Sequence, residues 1–372
     1  MFGIRRKAPS LSEPVRVVIV GASLDILGGH AVLIHHLLAG FAGSRRVRVS
    51  FLAVNPRLPW PLSTLQRIKY LRTVATQFAY TLSLLWRLPR ADVVHIFSAS
   101  YFSFILGPLP ALAIARLLGR AAILNYHSGE AEDHLRTWPI SRALIRRLPT
   151  LIVVPSEYLV SVFRQFNLRS VVVANFVLIE KLPFSVRSWN GIRLLSNRNL
   201  EPLYNVACTI RAFKVIQLAQ PSAVLTIVGD GSERSALEAL SREIGVCNVE
   251  FLGRIESDQM VGLYERASIF INASRIDNMP MSIIEAFASG LPVVSTRAGG
   301  IPFVVASGID GLLVDCDDFQ ALAACVLQLH SDPALAEGLA RAARRKCEDL
   351  YTWERVREEW EKLYLESGQM HR

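Results

Sequence analysis

The sequence predicts an α/β protein with two doubly wound domains, each built on a parallel sheet. The chain is 372 residues long, and short β-branched runs alternate with helical patterns in both halves without any repeat of the sequence itself. A chain of this length exceeds one ordinary core and suits two domains. Alternating strands and helices imply parallel sheets that are covered on both faces.

The first half of the chain predicts six buried strands, namely Val15–Val20, Val47–Val54, Val93–Phe97, Ala122–Tyr126, Leu151–Val154 and Val171–Ala174. Helices are expected from about His30 to Leu38 and over Leu62–Leu88, where apolar residues recur at helical spacing beside Arg and Lys. The apolar stretch Tyr101–Leu118 is interrupted by glycine, proline and arginine. It therefore predicts a helix buried against a sheet and not a membrane span.

The second half predicts six more strands, namely Ile192–Ser196, Val224–Val228, Val249–Leu252, Ile269–Asn272, Pro292–Ser295 and Leu312–Val314. Helices are expected from about Val206 to Leu218 and from Met281 to Ala288. A linker near Leu178–Asn190 divides an N-terminal domain, residues 1–183, from a C-terminal domain, residues 184–350. A charged amphipathic helix follows in residues 351–372, and we expect it to pack back toward the N-terminal domain.

Composition limits the class of protein and its compartment. Hydrophobic residues make up 51% of the chain and charged residues 20%, which is typical of a folded protein. All five cysteines lie in the second half, and no two form a C-x-x-C pair. This pattern argues against a disulfide framework or zinc site and favours a reduced, cytoplasmic compartment. The N-terminal segment has no apolar h-region, so we predict no secretory signal.

Charge is distributed unevenly between the two halves. Residues 1–185 carry 22 Lys and Arg against 8 Asp and Glu, a net of +14, whereas the rest carries 19 against 24. No helix-turn-helix, zinc-finger or aromatic RNA-binding signature is present, so nucleic acid is not a predicted partner. An anionic membrane surface or a phosphate-bearing acceptor suits the basic half better. We predict peripheral docking on the inner face of the membrane through the region that contains Trp60, Trp86, Arg67, Lys69, Arg72, Arg87 and Arg90.

The clearest chemical signal is the segment RIDNMPMSIIEAFASGLPVVSTRAGGIP, residues 275–302. It follows a predicted strand, and ligands of open α/β sheets bind beyond the carboxyl ends of strands. The amides at the start of the helix near Met281 suit a phosphate group. Glu285 lies within this helix among apolar neighbours, where a carboxylate is costly without a partner. Ribose hydroxyls are suitable partners.

This segment resembles the E-x7-E region of the retaining glycosyltransferases of family 4, in which E-x-F-G-x-x-x-x-E-A-x-A-x-G-x-P-V-V is usual. Glu285 and the Ala-Phe-Ala-Ser-Gly-Leu-Pro-Val-Val after it follow that pattern in register. The resemblance implies the GT-B fold, with two Rossmann-like domains facing across a cleft, and a nucleotide-sugar donor. It implies that Glu285 binds the donor ribose, while Met281 and Ser282 offer amides to the diphosphate. Asp277 replaces the first glutamate of the family and would face the donor sugar as a catalytic group.

A second match is the loop SNRNLEPLYN, residues 196–205. Family members have an arginine here and, some six residues later, a lysine, which together hold the diphosphate. Arg198 fits the arginine, since a guanidinium binds phosphate oxygens bidentately, and it would also act in catalysis. The lysine is absent, and Tyr204 and Asn205 lie in its neighbourhood, so Asn205 is predicted at the donor site. Either another basic residue replaces the lysine or the phosphate is neutralised less.

Three glycine-containing turns complete the resemblance. Gly229-Asp230-Gly231 follows a predicted strand and resembles the G-x-G loop that contacts the donor in this family. Gly253-Arg254 follows the next strand, where family members bind the base through the main chain. Gly28-Gly29 precedes the first helix, and glycines there let the backbone approach the reacting phosphate and sugar.

A histidine after the fourth strand predicts a contact in the N-terminal domain. His127 resembles the family histidine that contacts the donor sugar or the acceptor hydroxyl, and its plainer interpretation is a polar loop residue. Glu130, Asp133 and His134 follow in the same segment and are predicted acceptor contacts. The acceptor implied by the resemblance is a glycan or a polyprenyl-linked or other glycolipid.

The implied reaction is sugar transfer with retention, in which the departing phosphate takes the proton of the acceptor. Two alternatives stay open, a sugar-nucleotide 2-epimerase on the same fold and a non-catalytic nucleotide-sugar-binding protein. A dinucleotide-dependent oxidoreductase fits less well, because the glycines near Gly28 do not form G-x-G-x-x-G. No D-x-D follows a strand in the way a metal-dependent enzyme needs, and no His/Cys cluster is present, so no metal or other cofactor is predicted.

Overall fold

The computed structural model describes residues 13–24, 29–58, 60, 68–98 and 100–370. The chain divides into two compact units. The first unit extends to Ala174 and resumes at Val356, and the second unit is Asn175–Arg355. Each unit contains one six-stranded sheet in which every described pair of neighbouring strands is parallel.

The sheet of the first unit has the strand order β2-β1-β3-β4-β5-β6. Its strands are β1 Val15–Gly21, β2 Val47–Ala53, β3 Val93–Ser98, β4 Ala121–Tyr126, β5 Leu151–Val154 and β6 Val171–Val172. Its helices are α1 Gly29–Phe41, α2 Lys69–Arg87, α3 Tyr101–Leu106, α4 Pro108–Leu117, α5 Ala131–Thr137, α6 Pro139–Arg147 and α7 Glu157–Gln165. The central strands β3 and β4 are buried along their whole length, which explains why apolar residues predominate in their sequences.

The sheet of the second unit has the strand order β12-β11-β10-β7-β8-β9. Its strands are β7 Arg193–Asn197, β8 Val224–Val228, β9 Val249–Gly253, β10 Ile269–Asn272, β11 Val293–Thr296 and β12 Leu312–Val314. Its helices are α8 Val206–Ala219, α9 Arg234–Glu243, α10 Ser257–Arg266, α11 Met281–Ala288, α12 Ile301–Val304, α13 Phe319–Ser331 and α14 Pro333–Leu350. The strand order reverses direction between β7 and β10, and a ligand site of this fold forms at the carboxyl ends of such a strand pair.

The last helix, α15 Trp353–Met370, joins the first unit from Val356 onward. Its Trp360 and Tyr364 are buried, and the Tyr364 hydroxyl lies 2.7 Å from Nδ1 of His95 in β3. Glu361 forms an ion pair of 3.0 Å with Arg46. Trp360 and Tyr364 therefore complete the core of the first unit from the far end of the chain.

Two predicted helices differ from those observed. The stretch Tyr101–Leu118 forms two helices, because α3 ends where the Gly107 amide bonds to the Ser103 carbonyl and Pro108 begins α4. The helix predicted from Leu62 is described from Lys69, and residues 61–67 lie outside the described residues. None of the described helices combines the length and the apolar character needed to cross a membrane.

Candidate functional site

An arginine and an aspartate form a buried pair at the strand-order reversal of the second unit. Arg198 follows β7, and its Nη2 lies 2.7 Å from Oδ2 of Asp277, in the loop after β10. The two side chains are only 10% and 12% exposed. Nε of Arg198 also donates to Oδ1 of Asn272, the last residue of β10, at 2.9 Å. Because β7 and β10 are neighbours, residues 74 to 79 positions apart in the chain meet at one sheet edge.

The loop that carries Asp277 is held by its own backbone. The Asp277 carboxylate accepts a hydrogen bond from the Asn278 amide at 2.9 Å, and its carbonyl accepts one from the Gly300 amide at 3.0 Å. Burial raises the pKa of Asp277, whereas the positive charge of Arg198 lowers it, and burial is the larger effect. A carboxylate in this position depends on a cation close by to remain ionised.

Glu285 is the second carboxylate of this site. It lies on α11, and its Oε2 accepts a hydrogen bond from the Tyr264 hydroxyl at 2.6 Å. The Tyr264 oxygen in turn accepts one from Nδ2 of Asn197 at 3.3 Å. Burial raises the pKa of Glu285, and the hydrogen bond from Tyr264 and the charge of Arg198 partly offset this rise. Tyr264 and Asn197 were not predicted as site residues, although Asn197 stands next to Arg198 at the end of a strand.

Helix α11 presents its N-terminus at the same strand ends. Pro280 precedes the helix, and the first amides of a helix, here those of Met281 and Ser282, have no acceptor within it. Ser282 is 6% exposed, and its Oγ has no hydrogen-bond partner among the described residues. Positively polarised amides and an unsatisfied buried hydroxyl together suit an anionic oxygen.

The two glycines predicted at the donor loop have a packing role in the structure. A Cβ on Gly229 would lie 2.0 Å from the Arg198 carbonyl oxygen, and one on Gly231 would lie 2.4 Å from the Leu200 carbonyl oxygen. Gly229 also has φ +128°, a conformation that favours glycine. These glycines therefore let the loop after β8 pack against the backbone of the Arg198 loop and help to fix its position.

Asn205 does not fit the role of the missing lysine, which is to bind the diphosphate, because its side chain is engaged elsewhere. It is buried with φ +49°, it caps α8, and its Nδ2 donates to Oδ1 of Asp317 at 2.8 Å. The neighbour of Arg198 at this position is Tyr204, whose ring centroid lies 5.3 Å from the guanidinium. Arg254 is exposed directly after β9, two strands away from β7 in the sheet.

The predicted residues of the first unit lie in a different environment. His127 follows β4, and its ring stacks on Phe97 at 5.4 Å and meets the edge of His30 at 5.1 Å. The His95 ring also stacks on Phe97, and the centroids of these two rings are 4.8 Å apart. Burial lowers the pKa of His127 well below its usual value and that of His30 to about 4, so both are neutral at pH 7.

His30 was not predicted as a site residue, and it follows Gly28-Gly29 directly in the sequence. Gly28 lies outside the described residues, and Gly29 is the first residue of α1. The only sequence signal for His30 is its position directly after these glycines. The structure places the His30 ring beside that of His127.

The three predicted acceptor contacts separate in the structure. Glu130 is exposed before α5, and Asp133 is exposed and accepts a hydrogen bond from the Tyr101 hydroxyl at 2.6 Å. His134 is 0% exposed, and its Nδ1 lies 2.8 Å from the Tyr126 hydroxyl inside the unit. His134 therefore does not fit the acceptor role, because α5 turns its ring into the core.

Solved structures identify the fold of this protein. The structure of Anabaena HepE in complex with UDP and glucose covers 94% of this chain and 99% of its own, with a TM-score of 0.74 and 16% identity. The two parallel-sheet units are therefore the α/β, GT-B fold of glycosyltransferases, and the predicted fold class is confirmed.

Sequence comparison then gives the class of enzyme. Residues 193–332 match the family described as glycosyl transferases group 1, so the predicted class of enzyme, a glycosyltransferase, is confirmed for this segment. The glycogen synthase of Mycobacterium tuberculosis is 27% identical over 69% of this chain and 66% of its own length. A Corynebacterium glutamicum relative is 31% identical over 42% of this chain and 43% of its own. Its name is GDP-mannose-dependent monoacylated alpha-(1-6)-phosphatidylinositol monomannoside mannosyltransferase.

The matched segment and the pairs described above coincide. The segment that matches the family begins at the first residue of β7 and contains Arg198, Asp277, Ser282 and Glu285. These alignments span two thirds or less of the length of both curated relatives.

Proposed function

We propose that this protein transfers a sugar from a UDP- or GDP-type nucleotide sugar to a glycan or a polyprenyl-linked or other glycolipid acceptor. In this proposal transfer retains the configuration of the anomeric carbon and uses no metal ion. The observation that carries it is the meeting of Arg198, Asp277 and Glu285 at the carboxyl ends of β7 and β10, beside the N-terminus of α11. The names of two similar proteins support a UDP- or GDP-type donor. The HepE structure holds UDP and glucose, and the Corynebacterium relative is named as dependent on GDP-mannose.

The chemistry follows from the charges that develop. The bond from the anomeric carbon to the diphosphate oxygen breaks, which leaves negative charge on the diphosphate and positive charge on the sugar. Within the described residues, Arg198 uses Nε and Nη2 in its contacts, which leaves its Nη1 for a phosphate oxygen. The first amides of α11 and the Ser282 hydroxyl add donors for the same charge. Asp277 would stabilise the positive sugar.

A new bond then forms between the anomeric carbon and the acceptor oxygen. The acceptor hydroxyl loses its proton to the departing phosphate oxygen, on the face of the sugar from which the phosphate leaves. Neutral His127 can give or take a hydrogen bond with a hydroxyl of either substrate, whereas a charged imidazolium could only donate. Positive charge for the diphosphate comes from Arg198 and backbone amides, which is why we propose that no metal is required.

The test begins with a donor screen by thermal shift across UDP, GDP and ADP sugars. The stabilising donor is then incubated with glycan and glycolipid acceptors in excess EDTA, and the product anomer is assigned by NMR. Retained configuration with full activity in EDTA supports the proposal, whereas inversion or metal dependence contradicts it. Donor conversion without acceptor would instead indicate a 2-epimerase, and binding without turnover a non-catalytic protein.

The assignment of Glu285 has its own control in the same unit. Glu285→Ala removes a charged hydrogen-bond acceptor and is expected to weaken nucleoside diphosphate binding by about 10- to 100-fold. Glu243→Ala removes an exposed carboxylate of α9 and should leave affinity unchanged. Calorimetric titration measures both, and equal affinity for the two variants would remove Glu285 from the donor site.

We also propose that the first unit docks on an anionic membrane, at its cytoplasmic face, through the outer side of α2. Six large apolar side chains of this helix are between 46% and 68% exposed: Leu71, Val74, Phe78, Leu82, Leu85 and Trp86. From Leu71 to Leu85 they recur every three or four residues and Trp86 lies four residues after Leu82, so they form one stripe, while Tyr80 and Leu84 face the core. Exposed Arg72, Arg87 and Arg90 accompany the stripe, a combination typical of helices that lie in a membrane interface.

Flotation with vesicles tests this docking. Replacing Phe78 and Leu82 by Ser is expected to abolish flotation on vesicles rich in anionic lipid, and wild-type flotation should weaken at high salt because ions screen the surface. Leu218→Ser changes an equally exposed leucine of α8 and is the matched control. A wild-type protein that never floats, or binding that ignores lipid charge, contradicts the proposal.

A further inference from the structure

We infer that Tyr264 is a positioning residue that holds the Glu285 carboxylate in place and ionised for the donor. This inference rests on the proposed function for its consequence, and on the structure of the second unit for its geometry. The Tyr264 side chain is 1% exposed, and its hydroxyl lies 2.6 Å from Oε2 of Glu285. That distance is typical of a hydroxyl that donates to an ionised oxygen, which is the stronger kind of hydrogen bond.

The direction of the proton follows from the third member of the group. Nδ2 of Asn197 has only hydrogens to give, and it lies 3.3 Å from the Tyr264 oxygen. The tyrosine oxygen therefore accepts from Asn197, and its single proton points toward Glu285. Asn197 and Arg198 are adjacent at the end of β7, so two consecutive residues control the two carboxylates. Arg198 pairs with Asp277 directly, and Asn197 acts on Glu285 through Tyr264.

The backbone of Tyr264 is held by hydrogen bonds from a second residue, Arg187. The buried Arg187 guanidinium donates to the Tyr264 carbonyl at 2.6 Å and to the Glu265 carbonyl at 3.0 Å, at the C-terminal end of α10. It donates as well to the Gly290 carbonyl at 3.2 Å and to the Ser289 carbonyl, at the C-terminal end of α11. One side chain thus joins the ends of the two helices that carry Tyr264 and Glu285 and sets their spacing.

The consequence for the donor concerns the two oxygens of Glu285. Oε2 is occupied by Tyr264, and within the described residues Oε1 takes part in no hydrogen bond. With one oxygen fixed, the carboxylate plane cannot rotate freely, and Oε1 is directed to a single position for a ribose hydroxyl. The same hydrogen bond lowers the pKa of Glu285 against the effect of burial, so the carboxylate stays an acceptor at lower pH.

The experiment compares Tyr264→Phe with a matched Tyr80→Phe. Tyr80 is a buried tyrosine of the first unit whose hydroxyl donates one hydrogen bond, to the Gly107 carbonyl at 2.8 Å. Both variants lose one buried hydroxyl, but only Tyr264→Phe should weaken nucleoside diphosphate binding, by about 10-fold. In that variant the loss of affinity with falling pH should also begin at higher pH than in the wild type, because the pKa of Glu285 rises without its donor.

A second measurement needs no nucleotide. The Glu285 carboxyl carbon, labelled with 13C-glutamate and assigned by its absence in Glu285→Gln, should titrate at higher pH in Tyr264→Phe than in the wild type or in Tyr80→Phe. If the wild type binds no nucleotide, the proposed function fails, and this titration still decides the role of Tyr264. If Tyr264→Phe does not fold, Asn197→Ala replaces it and should shift the titration in the same direction. An unchanged titration overturns the inference, as does an unchanged affinity and pH profile in a protein that binds nucleotide.

Discussion

The two units bring polar groups together by different physical means. In the second unit, charged side chains are buried and pair with one another: Arg198 with Asp277, and Glu285 with the Tyr264 hydroxyl. In the first unit, neutral histidines pack against aromatic rings, and the carboxylates of Glu130 and Asp133 remain exposed. The first arrangement fixes charges at set positions, whereas the second places uncharged hydrogen-bonding groups among aromatic rings.

This difference matches the demands of two kinds of ligand. A diphosphate needs positive charge and amides at defined points, and these points must stay in place while the leaving charge develops. Hydroxyl groups of sugars are neutral, and stacked imidazole and aromatic rings can contact them without a charged partner. We therefore expect substitutions in the second unit to change both stability and donor binding, and substitutions at His127 to change turnover without changing donor binding.

The largest effect is expected from breaking the Arg198–Asp277 pair. Arg198→Ala leaves a buried carboxylate without its cation, and the free energy of unfolding of the second unit should fall by about 3–5 kcal/mol. Turnover should fall by about 100- to 1000-fold, because a donor to the leaving charge is lost. The Arg198→Ala/Asp277→Ala double variant should recover much of the stability but no activity. Urea unfolding and initial rates measure both, and additive stability losses would show that the two side chains do not stabilise each other.

The second prediction compares two histidines of the first unit. His127→Ala should lower turnover by about 100-fold while nucleoside diphosphate affinity stays near wild type. His134→Ala should instead lower the free energy of unfolding by about 1–3 kcal/mol, because it leaves the Tyr126 hydroxyl with one hydrogen-bond partner fewer. Turnover should change little. Steady-state kinetics and thermal unfolding of both variants check this. If His127→Ala lost nucleotide binding in step with turnover, its assignment to catalysis would be wrong.

The strands of the second unit, and the order strand, loop and helix in residues 269–288, were predictable because they depend on local sequence pattern. Strand β10, the loop with Asp277 and helix α11 are consecutive in the chain, so a motif can carry them. Tyr264 was missed because a tyrosine on an amphipathic helix resembles any core residue, and only the sheet order brings it to Glu285. His134 was misassigned for the opposite reason, since a polar residue in a polar segment gives no sign that its helix faces inward.

The contacts of the first unit were harder to predict, because they join distant parts of the chain. His95 in β3 stacks 4.3 Å from Trp360 of α15, so the last helix contributes to the group of rings around His127 through Phe97. No local pattern encodes such a contact. The exposed stripe of α2 was predicted only in part, since the sequence showed its basic residues and Trp86 but not which apolar side chains face outward.

The smallest effect, and the sharpest test of how the second unit holds its charges, is expected from Glu285→Gln. Burial raises the pKa of Glu285 above its ordinary value of 4.5, so the folded state binds the proton more tightly than the unfolded state. The ionised carboxylate therefore lowers stability above the folded pKa, and this cost vanishes below the unfolded value of 4.5, where both states are protonated. Glutamine carries no charge and keeps an oxygen that can accept from Tyr264.

Glu285→Gln should therefore raise the melting temperature of the nucleotide-responsive transition at pH 7 by about 2–4 °C for each kcal/mol of relief, while nucleotide binding weakens. The gain over the wild type should shrink as the pH is lowered through the raised pKa and be absent near pH 4. Differential scanning calorimetry from pH 7 down to pH 4 measures it, with Glu243→Gln as the exposed control. A lower melting temperature at pH 7 would mean that Tyr264 and Arg198 stabilise the anion by more than burial costs. The pKa of Glu285 would then lie below its ordinary value, and the second unit would hold this charge at no cost to its stability.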